Sequence, residues 1–342
     1  MNFLPELWNY LKKILIAMVF ITVIGAGGWV AYLYDMSRKP QSDNKQLIVE
    51  GDNALNIGRY ADAERIFEAE LKANPQNKQA EWSLRIAQVR RTLSQPGFKE
   101  AIEALYQQNP KDSYVNLLLG DFYTANHQPD MAVQYYKVAI EQNPKLAEAH
   151  HNLAKLYALL GDLNSAKVEA LKAIEISSIP KYRNNLGTIY FKQQHFEEAI
   201  KDFGRNKEYP LSTLESAKIY WRLEYLSQAL SYQKQAVDWL EDKTIMSKPD
   251  NQESWFFEIA PEKNIELISL EEKKSYAYFC LSVTLYLQGD KEGAENEVQK
   301  LRNLMVSRQV DINHLLTADL DALVQSNDSF AEQIAAYKQR YL

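Results

Sequence analysis

The sequence predicts an all-α protein, an array of short helical hairpins preceded by one transmembrane helix. Three observations carry that prediction. Only 12 glycines and 11 prolines occur in 342 residues that are otherwise rich in helix formers. A pattern of small and aromatic residues returns at nearly constant steps along most of the chain. Near the start, an apolar run carries no charge at all from Ile14 to Tyr34.

That run is 21 residues long, and a helix of this length is roughly 31 Å, the thickness of a bilayer's hydrocarbon layer. Trp8 and Tyr10 lie before it, and Trp29, Tyr32 and Tyr34 close its far end, as in an interfacial aromatic belt. A cleaved signal peptide is the rival, because Lys12 and Lys13 precede the run and Gly25-Ala26-Gly27 is small enough for cleavage. The run continues past the usual signal-peptide length, which favours a retained anchor. Residues 1–13 then form a short tail, 14–34 the transmembrane helix and 35–44 a linker. Lys12 and Lys13 on one side nearly balance Arg38, Lys39 and Lys45 on the other. The short basic tail leans towards a cytoplasmic N-terminus, with the bulk of the chain extracytoplasmic, hence periplasmic in a bacterium.

From residue 45 the repeats begin. Gly120, Tyr123, Ala132, Tyr136, Ala139 and Pro144 set the pattern. The same offsets give Gly51, Ala54, Ala63, Phe67 and Pro75 upstream. Downstream they give Ala154, Tyr157, Ala166, Ala170 and Ala173, then Gly187, Tyr190, Ala199 and Phe203. Weaker copies follow at Ala217, Tyr220, Ala229 and Ala236, and at Ser282, Leu285, Ala294 and Val298. The steps from Gly120 to Ala154, Gly187 and Ala217 are 34, 33 and 30 residues. Small residues let two helices approach closely while the aromatics fill the neighbouring space. Gly58, Gly161 and Gly289 suit the left-handed residue that ends a first helix. Pro75, Pro110 and Pro144 stop a second helix. Each hairpin exposes an apolar face that only a neighbour can cover, so the units stack.

These phased motifs resemble the tetratricopeptide repeat. "LLLGDFY" and "NNLGTIY" carry its first half, and "QPDMAVQYYKVAIEQNP" and "QHFEEAIKDF" its second. The resemblance implies a tetratricopeptide-like right-handed superhelix over residues 45–308. Residues 82–110 hold a shortened second helix, and residues 244–274 are an insertion without the pattern, carrying "SWFFEI" from Ser254 as a candidate docking element. Residues 309–342 are expected to form capping helices, the last one opened by a capping box at Ser329 and Glu332.

The chemistry expected is recognition. The net charge of −6 gives no concentrated basic surface for nucleic acid. The sequence contains no phosphate loop, no His-Glu-x-x-His and no nucleophile elbow. Cys280 is the single cysteine, expected as a buried hydrophobe. His150 and His151 are adjacent on a helix and point apart; His150 takes the slot where the family carries tryptophan. His127 and His195 fall in turns. No catalytic, cofactor or metal site is assigned.

The family commonly holds partners against the concave face of its first helices. Traced here, that face runs through Tyr114, Leu117, Asp121 and Thr124, then Glu148, His151, Lys155 and Ala158. It continues through Lys181, Asn184, Thr188 and Phe191 to Leu211, Leu214, Lys218 and Trp221. His151, Lys155, Lys181, Asn184, Leu214, Lys218 and Trp221 are the expected partner-binding residues, with Leu214 and Trp221 exposed. An acidic segment with one or two apolar anchors would suit such a wall. The co-chaperone carboxylate clamp is rejected, because only Asn185 matches it while Leu117, Asp121 and Glu215 fill slots that need basic or amide groups. The expected function is a non-catalytic, membrane-anchored interaction scaffold or assembly factor for membrane-associated proteins. The alternatives are a structural subunit of a secretion or pilus machine, or a regulatory subunit of a membrane enzyme.

Overall fold

A computed structural model describes residues 45–341, apart from 94, 96, 253–254, 261–262, 268, 309–312 and 327. The tail, the expected transmembrane helix and the linker lie outside the described residues. Among the described residues, no helix is long and apolar enough to cross a membrane.

The chain divides into two compact units, one ending at Leu105 and one starting at Tyr106. In the first, helix α1 occupies residues 45–56, followed by α2 (Tyr60–Ala73), α3 (Lys78–Arg91) and α4 (Phe98–Gln108), whose last turn passes into the second unit. Leu55, Phe67, Ile86, Phe98, Ile102 and Leu105 are the large residues most deeply buried in it. Gly51 lies so close to α2 that a Cβ there would stand 2.5 Å from the Phe67 ring.

In the second unit, hairpins α5 (Ser113–Ala125)/α6 (Pro129–Gln142), α7 (Ala147–Leu159)/α8 (Leu163–Ile176), α9 (Pro180–Lys192)/α10 (Phe196–Gly204) and α11 (Pro210–Arg222)/α12 (Leu226–Glu241) stack as a helical-repeat superhelix. Gly187 repeats the close approach, with its would-be Cβ 2.5 Å from Phe203, and Gly120 does so against Tyr136. Apart from α3, whose C-cap Thr92 has φ −98°, the first helices end in a left-handed residue seven positions after the small one. At Gly58, Gly161 and Gly289 it is glycine, as expected, but His127 (φ 55°), Gln194 (φ 63°) and Glu224 (φ 61°) hold the same place. The amide of the following residue donates back to the helix, as in Gln128 N to Tyr123 O and His195 N to Tyr190 O, both 2.9 Å.

The insertion departs from the all-helical expectation. After α13 (Lys243–Met246) and α14 (Pro249–Gln252), strand β1 (Trp255–Ala260) pairs antiparallel with β2 (Lys263–Leu267). Three consecutive aromatics, Trp255, Phe256 and Phe257, with Ile259 and Ile265 nearby, are residue types that a paired strand accommodates. The side chains of the "SWFFEI" segment lie outside the described residues.

The last hairpin is α15 (Leu270–Leu287) and α16 (Lys291–Arg308). Ser269 opens α15 with a full capping box, reciprocated by Glu272. Beyond it come α17 (Asn313–Ser326), a 3-10 turn (Asp328–Phe330) and α18 (Ala331–Tyr341). Helix α18 covers α15, with Tyr337 edge-on to Phe279 and Tyr286, and the Tyr337 hydroxyl 2.6 Å from Ser282 Oγ. The Ser329 hydroxyl reaches Glu224 at 3.2 Å.

Candidate functional site

The first helices α5, α7, α9 and α11 lie side by side in chain order. Their shared face carries one polar tie for each step. Asp121 Oδ1 accepts from the Asn152 amide and from the Tyr136 hydroxyl, both at 2.8 Å, joining α7 and α6 to α5. Glu148 accepts from the Tyr182 hydroxyl at 3.0 Å and pairs with Lys181 at 3.0 Å, joining α9 to α7. The Ser212 hydroxyl donates to Asn184 Oδ1 at 2.8 Å and itself accepts from Asn206 at 2.8 Å, joining α11 to α9.

The expected wall residues therefore divide into two groups. Lys155, Lys181, Asn184, Thr188 and Phe191 are half-buried and keep part of their surface at the face. His151 is buried, 4.8 Å from the Tyr182 ring, with its Nδ1 3.5 Å from the Asn185 amide. Burial, aided by Lys155 and Lys181, holds its pKa well below the ordinary histidine range. The Arg222 guanidinium lies 5.0 Å from the Phe191 ring, a cation–π contact between α11 and α9.

The α11 end corrects the expectation. Leu214 and Trp221 are 1% and 2% exposed, inside one apolar cluster with Tyr276, Cys280, Leu316, Leu320 and Leu323. The Trp221 indole N–H donates to Thr284 Oγ1 at 2.6 Å. Lys218 pairs with Glu215 at 3.2 Å and Asp319 at 3.3 Å, and stands 5.3 Å from the Tyr276 ring. The Tyr276 hydroxyl also donates to Asp319. Burial opposes the lysine's charge, but the Asp319 and Glu215 carboxylates win and keep its pKa above the usual range. The physical reason is α17, which lies against α11. The periodicity of α11 reveals a face to be covered, but not that a helix about 100 residues later covers it. Asn152, Tyr276, Thr284 and Asp319 escaped the sequence reading for the same reason, since each acts across repeats.

His150, in the slot expected for tryptophan, is buried between Glu169 (Nδ1, 2.6 Å) and the Pro144 carbonyl (Nε2, 3.1 Å). Cys280 is buried too, which pushes its thiol pKa up. Among the described residues, no group of three His, Cys, Asp or Glu side chains could hold a metal ion.

Three family models match this chain, all described as tetratricopeptide repeat, at residues 48–91, 135–168 and 180–205. Over those stretches the chain carries tetratricopeptide repeats. Human mitochondrial import receptor subunit TOM70 is 26% identical over 227 residues, covering 57% of this chain and 35% of the receptor. The crystal structure of the APC/C hetero-tetramer Cut9–Hcn1 superimposes with a TM-score of 0.55 at 13% identity, over 86% of this chain and 55% of that one. This chain thus spans about a third of the receptor's length and about half of the solved chain's. The second likeness concerns the fold alone. Tetratricopeptide arrays are in general scaffolds for protein interaction.

Proposed function

We propose that this chain is a non-catalytic, membrane-anchored scaffold or assembly factor that captures acidic segments of partner proteins on the face of α7 and α9. The observation that carries this reading is the placement of Lys155, Lys181, Asn184, Thr188 and Phe191, half-buried on adjacent first helices. The lysines steer an acidic segment in and Phe191 offers an apolar contact. The likeness to a receptor subunit supports capture as the task. The uncharged run 14–34 supports an anchor, with the repeats on the extracytoplasmic side.

A photo-crosslinking amino acid placed at Thr188 in cells tests this reading, with Val168 on the exposed side of α8 as control. Crosslinks to a defined set of proteins from Thr188, lost on Lys155→Glu and absent from Val168, are expected. Identical products from both positions, or products indifferent to Lys155→Glu, would overturn it.

A further inference from the structure

Helix α17 places Leu316, Asp319, Leu320 and Leu323 along one stripe, with the three leucines all buried. Those leucines share an apolar cluster with Leu211, Leu214 and Trp221, three of the four α11 positions that continue the wall of α7 and α9. The fourth, Lys218, meets Asp319. Leucine spacing of four and three, with an acid between, is the chemistry of a helix seated in a groove. A separate helix, α18, covers α15 through Tyr337 and Tyr341.

We propose that the α11–α15 wall is a helix-binding site, held by α17 as a resident competitor, and that an acidic amphipathic helix of a partner protein takes its place. The partner helix carries leucines at α17's spacing and an aspartate for Lys218. The proposal rests on the reading that partners bind the first-helix face, and adds the partner's chemistry and a latch that gates it. Asp319 is the latch. It touches both α11, through Lys218, and α15, through Tyr276. Its loss removes one tie to each of those helices and leaves the wall's own residues in place.

The probe is a fluorescent peptide with the sequence of residues 313–326, titrated into the full chain and into its Asp319→Lys variant. Intact α17 keeps the binding-competent fraction small, so the variant should bind the peptide at least about tenfold more tightly. A peptide with the same Asp→Lys change should lose that gain. A folded variant that binds no better than wild type overturns the proposal, as does a dimer formed by exchanging α17 between copies without peptide binding. Hydrogen exchange on the unaltered chain decides the matter should the variant unfold. Amides of α17 exchanging at least about tenfold faster than those of α11 and α15 support a separately opening latch. A common rate for all three overturns it. Crosslinks from Thr188 read the open stretch of the face independently, so failure here and failure of capture on α7 and α9 are told apart.

Discussion

At Gly187 a single added carbon is enough to disturb two helices, since its Cβ would stand 2.5 Å from the Phe203 ring. Gly187→Leu should destabilise the array by roughly 1–3 kcal/mol or more, read by denaturant unfolding. Shrinking the partner, with Phe203→Leu added, should restore part of the loss; an unchanged midpoint for Gly187→Leu alone would refute the close contact. Sixteen residues after Ala217, the offset that separates Gly187 from Phe203, stands Gln233, fully buried with neither amide atom hydrogen-bonded. Gln233→Met should raise stability by about 1 kcal/mol or more, because an unsatisfied buried amide costs about 1–3 kcal/mol. A lower midpoint would mean the amide has a partner, such as a buried water. His151 gives the array a pH dependence. Its folded-state pKa lies below that of the unfolded chain, so the unfolded chain takes up more protons from about pH 6.5 downward. This contribution is complete above that pH and is lost as the pH falls below it. Unfolding free energies at pH 7.5 and 5.5 should differ more in wild type than in His151→Gln.

At the scale of the element, the left-handed turn after the first helices other than α3 was legible where glycine marks it, at Gly58, Gly161 and Gly289. His127, Gln194 and Glu224 fill the same turn without that signal. A side chain in this region carries a steric cost, so Gln194→Gly should stabilise its hairpin by about 0.5–1 kcal/mol. A drop in melting temperature would count against that. The hairpins themselves were legible because their helices must be amphipathic with a fixed period. The insertion's strands were not, since a short aromatic run fits a strand or a buried helix equally well. Nor was the burial of Leu214 and Trp221. Periodicity says that a stripe will be covered, and only the fold says by what. Lys155, Lys181 and Asn184 fall on the traced face because helical spacing alone puts positions three, seven and ten apart on one side of a helix.

For the molecule as a whole, repeats that each depend on their neighbours make stability a shared property. The proposed anchor at 14–34 would add a boundary condition, holding the repeats about ten residues from the bilayer. An enzyme reporter fused after Leu342, one that works only outside the cytoplasm, should be active. Activity from a cytoplasm-only reporter in its place would reverse the orientation.

The pairing of Lys218 with Asp319 joins residues 101 positions apart. On a ribosome adding roughly 5–20 residues per second, α17 follows α11 by roughly 5–20 s. During that interval Leu214, Trp221 and their neighbours have been made and their cover has not. The newborn chain therefore shows the cell an apolar strip that the finished chain conceals, and anything that grips such strips has several seconds in which to do so.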